Sequence, residues 1–189
     1  MKAKLRVLGI PGSLREASYN KALLRSAQGL APADMTIHIY EALGQIPPYN
    51  EDIRQAGYPE VVQDLRDRIR TSDALLIATP EYNHSVPGVL KNAIDWASRS
   101  PDQPLNEKPT AIIGASTGSF GTVRAQMHLR QICFSNNQRV VSKPEVLVMR
   151  AQDGKFNKEL QLVDETARTL LQQLLEALAH LTQRVKNAT

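Results

Sequence analysis

The chain has 189 residues, of which 42% are hydrophobic, 22% charged and only 5% aromatic, the make-up of an ordinary soluble globular domain rather than a disordered or fibrous chain. Its length favours one domain, 1–189, large enough to bury a core without covalent staples, and the lone Cys133 excludes an intrachain disulfide or a Cys-rich metal site and reads as a reduced cytosolic thiol. The net charge of +4 is spread, with Arg66, Arg68 and Arg70 alternating with Asp64 and Asp67, so no basic stripe for nucleic acid is visible, although a mild positive field suits a small phosphorylated ligand.

Short β-branched apolar runs alternate with longer segments of helical spacing, the pattern of a parallel sheet covered on both faces. Met1-Lys2-Ala3-Lys4 leads into a first strand over 5–10, which Pro11 and Gly12 end. That apolar stretch is too short for a signal-peptide core or a bilayer span, so a cytoplasmic protein with no membrane partner is expected. Ser18 can cap a helix carrying Leu23, Leu24, Ala27 and Leu30. The second strand, 35–41, alternates Ile37 and Ile39 with His38 and Tyr40, as an edge strand does. Residues 42–58, with Pro47, Pro48 and Gly57, form an irregular stretch longer than most connections and a candidate rim for a site.

Pro59 then opens a helix with Val62, Leu65 and Ile69, and Pro87 opens another with Leu90, Ala93, Ile94 and Ala97. Between them, 74–79 is nearly continuously apolar, as is 110–115, which places the third and fourth strands at the sheet centre. A helix over 122–136 and a fifth strand over 146–149 follow. The last helix carries Leu160, Val163, Ala167, Leu170, Leu171, Leu174, Leu178 and Leu181 on one stripe. The sum is an α/β sandwich of three layers: an open, five-stranded parallel sheet with helices on both faces, in flavodoxin-like order.

In such a sheet, ligands bind beyond the carboxyl ends of the strands where strand order reverses, after strands one and three. The first of these loops, residues 12–20, offers a turn glycine, the hydroxyls of Ser13 and Ser18, the Arg15 guanidinium, the Asn20 amide and the free N–H groups of a helix start, together an anion cradle. It has neither the P-loop glycine–lysine spacing nor the dinucleotide glycine fingerprint. The alternative is a plain helix cap beside a solvated arginine. The loop after strand three runs Thr79-Pro80-Glu81-Tyr82-Asn83-His84-Ser85-Val86-Pro87-Gly88, and its two framing prolines hold a set course along which backbone groups can address the edge of a flat ring. After strand four, Gly114, Gly118 and Gly121 allow close approach to a ligand or a positive φ.

Gly12-Ser13-x-Arg15-x-x-Ser18-x-Asn20, then Pro80-Glu81-Tyr82-Asn83-x-Ser85-x-Pro87-Gly88 and Lys91-Asn92-Ala93-Ile94-Asp95-Trp96, resembles the NADPH-dependent FMN reductase family, particularly its bacterial quinone and chromate reductase branch. The resemblance runs from strand one through strand four and more faintly through Lys143-Pro144-Glu145 to about residue 150. It implies a flavodoxin-like fold, tightly held FMN, hydride uptake from NADPH or NADH, and homodimers or homotetramers with sites near subunit contacts. Carried over position by position, Ser13, Arg15, Ser18 and Asn20 would hold the FMN phosphate. Pro80, Glu81, Tyr82 and Asn83 would line the ribityl chain and isoalloxazine, and Ser116 and Gly118 would close over the pyrimidine side.

The expected function is therefore an FMN-dependent NAD(P)H oxidoreductase that reduces quinones, free flavin or other soft acceptors such as chromate, with the flavin carrying the chemistry and no acid–base side chain or metal required. A flavodoxin-type electron carrier, expected to be strongly acidic, and a non-catalytic module on the same fold are the alternatives. Among single residues, Trp96 reads as core rather than a flavin stacker, Glu81 as a positioning group, and His84 as a solvated loop residue or a substrate contact. Arg124 and Glu145 have the charge to pair across a subunit contact, or to stand as solvated surface charge.

Overall fold

The computed structural model describes residues 4–188; Met1, Lys2 and Ala3 of the leading segment lie outside the described residues. Strands β1 (Leu5–Pro11), β2 (Met35–Ile39), β3 (Ala74–Ala78) and β4 (Pro109–Ala115) are parallel and lie in the order β2-β1-β3-β4. As expected, β2 is an edge and the continuously apolar β3 and β4 are central, with all twelve of their residues buried. The fifth position differs from expectation, because two short strands share it. β5 (Arg139–Val140) pairs with the start of β4 and β6 (Val146–Val148) with its end, while residues 141–145 between them carry no ladder. Six strands thus fill five places.

Each face of the sheet has its own core. Because side chains alternate along a strand, Leu76 and Ile113 face α1 (Tyr19–Leu30) and α6 (Glu165–Ala188), whereas Leu75, Ile77 and Ile112 face α3 (Glu60–Thr71), α4 (Gly88–Ala97) and α5 (Val123–Ser135). The α6 stripe of Leu171, Leu174 and Leu178 is buried, but the helix begins at Glu165, so Leu160 and Val163 belong to the preceding turns. Cys133 lies in the α5 layer, where burial pushes its thiol up to about 12.

The stretch 42–58 is more regular than its composition suggests. It holds a 3-10 turn at Leu43–Gln45 and a short helix, α2 (Glu51–Ala56), with Asn50 accepting from the Asp52 amide as its cap. Two side chains of α4 fasten this stretch to the sheet. The Pro47 carbonyl accepts from Asn92 Nδ2 at 2.9 Å and from Trp96 Nε1 at 2.8 Å, and the Tyr49 amide donates to Asn92 Oδ1 at 2.8 Å. Trp96 is fully buried, as a core residue, with Tyr49 packed edge-on against it.

Arg66 on α3 secures the other end of α4. Only 2% exposed, it meets carbonyls rather than a carboxylate, donating to Trp96 O, Ala97 O, Arg99 O and Asp102 O, with the Tyr58 ring 4.3 Å beneath its guanidinium. Trp96 O and Ala97 O are acceptors that the C-terminus of α4 leaves unmet, and Arg99 O and Asp102 O belong to the turn that follows. Arg66→Met keeps the bulk and strands those carbonyls, so urea titration is expected to show a loss of about 2 to 3 kcal/mol of unfolding free energy. A loss under about 0.5 kcal/mol would show that water replaces the guanidinium without cost.

Candidate functional site

Strand order reverses between β1 and β3, so the loops that leave their carboxyl ends diverge and open a crevice. A cleft of about 130 Å³ occupies it. Ser13, Arg15, Ser18, Asn20, Pro80, Glu81, Tyr82 and Ser116 all line this cleft, although they come from three separate loops. Asn83 and Gly118 do not. Tyr19, Ala115 and Thr117 complete the lining without having been singled out; Tyr19 and Thr117 sit inside the two loop sequences, whereas nothing in the sequence distinguishes Ala115.

The β1 loop works as a set of donors. Ser18 caps α1, its Oγ accepting from the Asn20 amide at 3.2 Å and the Lys21 amide at 3.4 Å, and its own hydroxyl hydrogen remains free to donate. Among the described residues no acceptor meets the amides of Ala17, Ser18 and Tyr19, and the exposed Arg15 guanidinium has no partner. Ser13 is 2% exposed, with Oγ accepting from the Arg15 amide at 3.3 Å. Asn20 lines the cleft and also bonds one peptide, Nδ2 donating to Ala115 O and Oδ1 accepting from Ala115 N, both at 2.9 Å, with the second Nδ2 hydrogen left over.

The β3 loop is a two-residue hairpin. Tyr82 and Ser85 exchange both backbone hydrogen bonds, at 3.1 and 3.0 Å, and Asn83 and His84 between them have φ of 50° and 63°. Two left-handed central residues are the signature of a type I′ turn. Asn83 tolerates that conformation through its short polar side chain; His84 bears the Cβ strain that the left-handed region imposes on any L side chain. Both are exposed, and Tyr82, 46% exposed, reaches back so that its hydroxyl stands 3.5 Å from Ser13 Oγ.

Glu81 turns away from the hairpin tip. Its Oε2 accepts from the Arg124 amide at 2.9 Å and the Ala125 amide at 3.2 Å, and its Oε1 from Arg124 Nε at 2.9 Å. Within the chain, Arg124 pairs with Glu81, and Glu145 pairs with Lys143 at 2.9 Å. In the β4 loop, Ser116 Oγ accepts from the Gly118 amide at 3.1 Å, and the Ser116 and Gly118 carbonyls accept from Ala151 and Arg150. The nearby glycines have unequal duties. Gly121 has φ of 59°, while a Cβ at Gly114 would fall 1.8 Å from Thr122 Oγ1 and 2.7 Å from Thr79 O, so that glycine serves helix–strand packing and not a ligand.

The pattern of the NADPH-dependent FMN reductases matches residues 5–153. The chain belongs to this family. It is 51% identical over 186 residues to an NAD(P)H-dependent FMN reductase of Pseudomonas aeruginosa, covering 98% of this chain and 100% of that one. It is 41% identical over 187 residues to a quinone reductase of Escherichia coli, with the same coverage. A solved flavoenzyme NAD(P)H:(acceptor) oxidoreductase from Paracoccus denitrificans superposes with a TM-score of 0.86 at 35% identity, over 95% of this chain and 98% of that one.

The cleft suits FMN, the family's cofactor, because its uncommitted groups are donors: the free amides at the start of α1, two hydroxyls and the Arg15 guanidinium form a set complementary to an anion such as a phosphate. A larger groove of about 600 Å³ does not, although it includes Arg25 and Arg168. It shares no residue with the strand-end cleft and flanks Gly29 and Leu30 in the last turn of α1, the helix end that repels anions.

The hairpin generates its own test. His84→Gly relieves a left-handed residue with a Cβ and is expected to raise the apo-protein's melting free energy by about 0.5 to 1 kcal/mol, whereas His84→Val should lower it by about 1 to 2 kcal/mol. Calorimetry of both variants reads the difference, and equal melting of the two would show that the turn is not held in this conformation in solution.

Proposed function

We propose that this chain is a single-domain enzyme, residues 1–189, that takes hydride from NAD(P)H onto FMN and passes two electrons to quinones, free flavin or other soft acceptors, chromate included. The observation that carries the reading is the unmatched donor set at the start of α1, set beside a backbone-rigid β3 loop at the strand-order switch. Bound FMN supplies the redox chemistry, accepting a hydride and returning two electrons. The protein's part is to bind and orient.

Ser13, Arg15, Ser18 and the α1 amides hold the phosphate, while Asn20, beside them in the cleft, fixes Ala115 against the cradle. Pro80, Tyr82 and Asn83 present a backbone held by the hairpin to the ribityl chain and ring, and Ser116 and Gly118 close the opposite side. Glu81, which lines the cleft, accepts three hydrogen bonds, which supports a positioning role with the flavin carrying the chemistry. NAD(P)H and acceptor use the same opening in turn, so double-reciprocal plots with a benzoquinone are expected to be parallel, and intersecting lines would require separate sites.

A cleft of about 130 Å³ is small beside the usual range for cofactor pockets. A second copy of the chain would supply the missing wall. Phe120 at the end of the β4 loop is 63% exposed beside the site, and Met127 and Phe134, 53% and 87% exposed, carry exposed apolar surface along α5 away from it. The assembly read from this surface is a homodimer, or a homotetramer built from it. Phe134→Glu is expected to shift the species seen by light scattering toward the 21 kDa monomer, and an unchanged mass would move the interface elsewhere.

Arg15→Ala tests the cradle. Apo-protein titrated with FMN should bind about 1.5 to 3 kcal/mol more weakly, the range for a charge-assisted hydrogen bond. Unchanged FMN affinity with a raised NADPH KM would assign Arg15 to the nicotinamide nucleotide instead.

A further inference from the structure

The start of α5 is an unusual helix end. Its N-cap, Thr122, gives no side-chain cap, because Thr122 Oγ1 is buried above Gly114 and accepts from Gln126 Nε2 at 3.1 Å. The cap comes instead from Glu81, forty-three residues earlier in the chain and on a different loop. The Glu81 side chain is 9% exposed, its two oxygens accept from two amides and one guanidinium, and the same guanidinium stacks 4.7 Å from the centre of the Phe120 ring at the end of the β4 loop. One carboxylate therefore joins the loops after β3 and β4, the two that flank the ring end of the cleft.

We propose that Glu81 is a positioning residue: its carboxylate latches the β3 loop to the N-terminus of α5 and sets the spacing between the two loops that enclose the flavin ring. The inference rests on the reading of the cleft as the FMN site. A carboxylate suits the task because it complements the positive end of the helix and meets converging N–H donors with acceptor oxygens alone. Reach matters as much as charge. Aspartate, one methylene shorter, keeps the charge but cannot place both oxygens on α5 while the hairpin keeps its course.

The test compares Glu81→Ala, Glu81→Asp and Glu81→Gln with the wild-type protein by three measurements. Amide exchange at Arg124 and Ala125 in the apo-protein reports the latch itself. FMN fluorescence recovery on dilution gives the release rate, and visible circular dichroism of the bound flavin reports how the ring is held. In Glu81→Ala and Glu81→Asp, exchange at both amides and FMN release should each quicken about tenfold, with a changed flavin dichroism. Glu81→Gln, which can accept at one oxygen only, should fall between them and wild type. Arg124→Met leaves the two amide bonds in place and should change release by no more than about threefold.

A lowered apo-protein melting temperature with wild-type FMN release and dichroism would overturn the proposal, leaving Glu81 a helix cap alone. Loss of turnover in Glu81→Gln with release and dichroism unchanged would also overturn it, in favour of a proton donor. Wild-type protein that takes up no FMN would remove the reading of the cleft and the proposal with it, a result distinct from a wild-type site that binds FMN and ignores Glu81.

Discussion

The strand-end site is organised around a side-chain amide that is almost wholly buried. Asn20, 3% exposed, closes a two-bond ring with the peptide of Ala115, giving a donor to its carbonyl and an acceptor to its N–H. Only a carboxamide carries both functions at that spacing; an aspartate would bury a charge and leave the Ala115 carbonyl unmet. Through this ring the first turn of α1 is fastened to the last residue of β4, across the end of β3 that lies between them. The cradle after β1 and the turn after β4 are thus tied to each other directly, and the β3 hairpin is the third wall set against them.

Two helix N-termini meet at this site and are treated in opposite ways. α5 receives a resident anion, Glu81, over its first amides. α1 has no acid in its first turn, and Ser18 satisfies only the Asn20 and Lys21 amides, leaving the earlier ones beside Arg15. An anion entering the site would therefore meet unmatched donors at α1 and matched ones at α5, although both offer the same backbone chemistry. Selectivity between the two ends comes from which one already holds its counter-charge.

How much of this was legible depended on whether the controlling interaction was local. Strand order and the central places of β3 and β4 followed from continuous apolar runs, and the α1 cap from Ser18 at the start of a periodic segment. The split of the last strand was not legible: β5 is two residues long, below the length at which alternation is visible. The early start given to α6 arose because Leu160 and Val163 fall by coincidence on the helical stripe, whereas the helix is begun by Asp164 Oδ1 accepting from the Ala167 amide. At the site, residue identity was readable from the two loop sequences, but orientation was not. Nothing near Asn20 signals that it bonds Ala115, ninety-five residues away, and nothing near Glu81 signals that its partner is the start of a helix in the other half of the chain.

The depth of Cys133 bears on the company such an enzyme keeps. Quinones are electrophiles as well as electron acceptors, and they add covalently to thiolates. A thiol pushed up to about 12 by burial stays in its neutral, weakly nucleophilic form at neutral pH. With its single sulfhydryl on the buried face of α5, the chain presents no thiol at its surface to which an electrophilic acceptor could add.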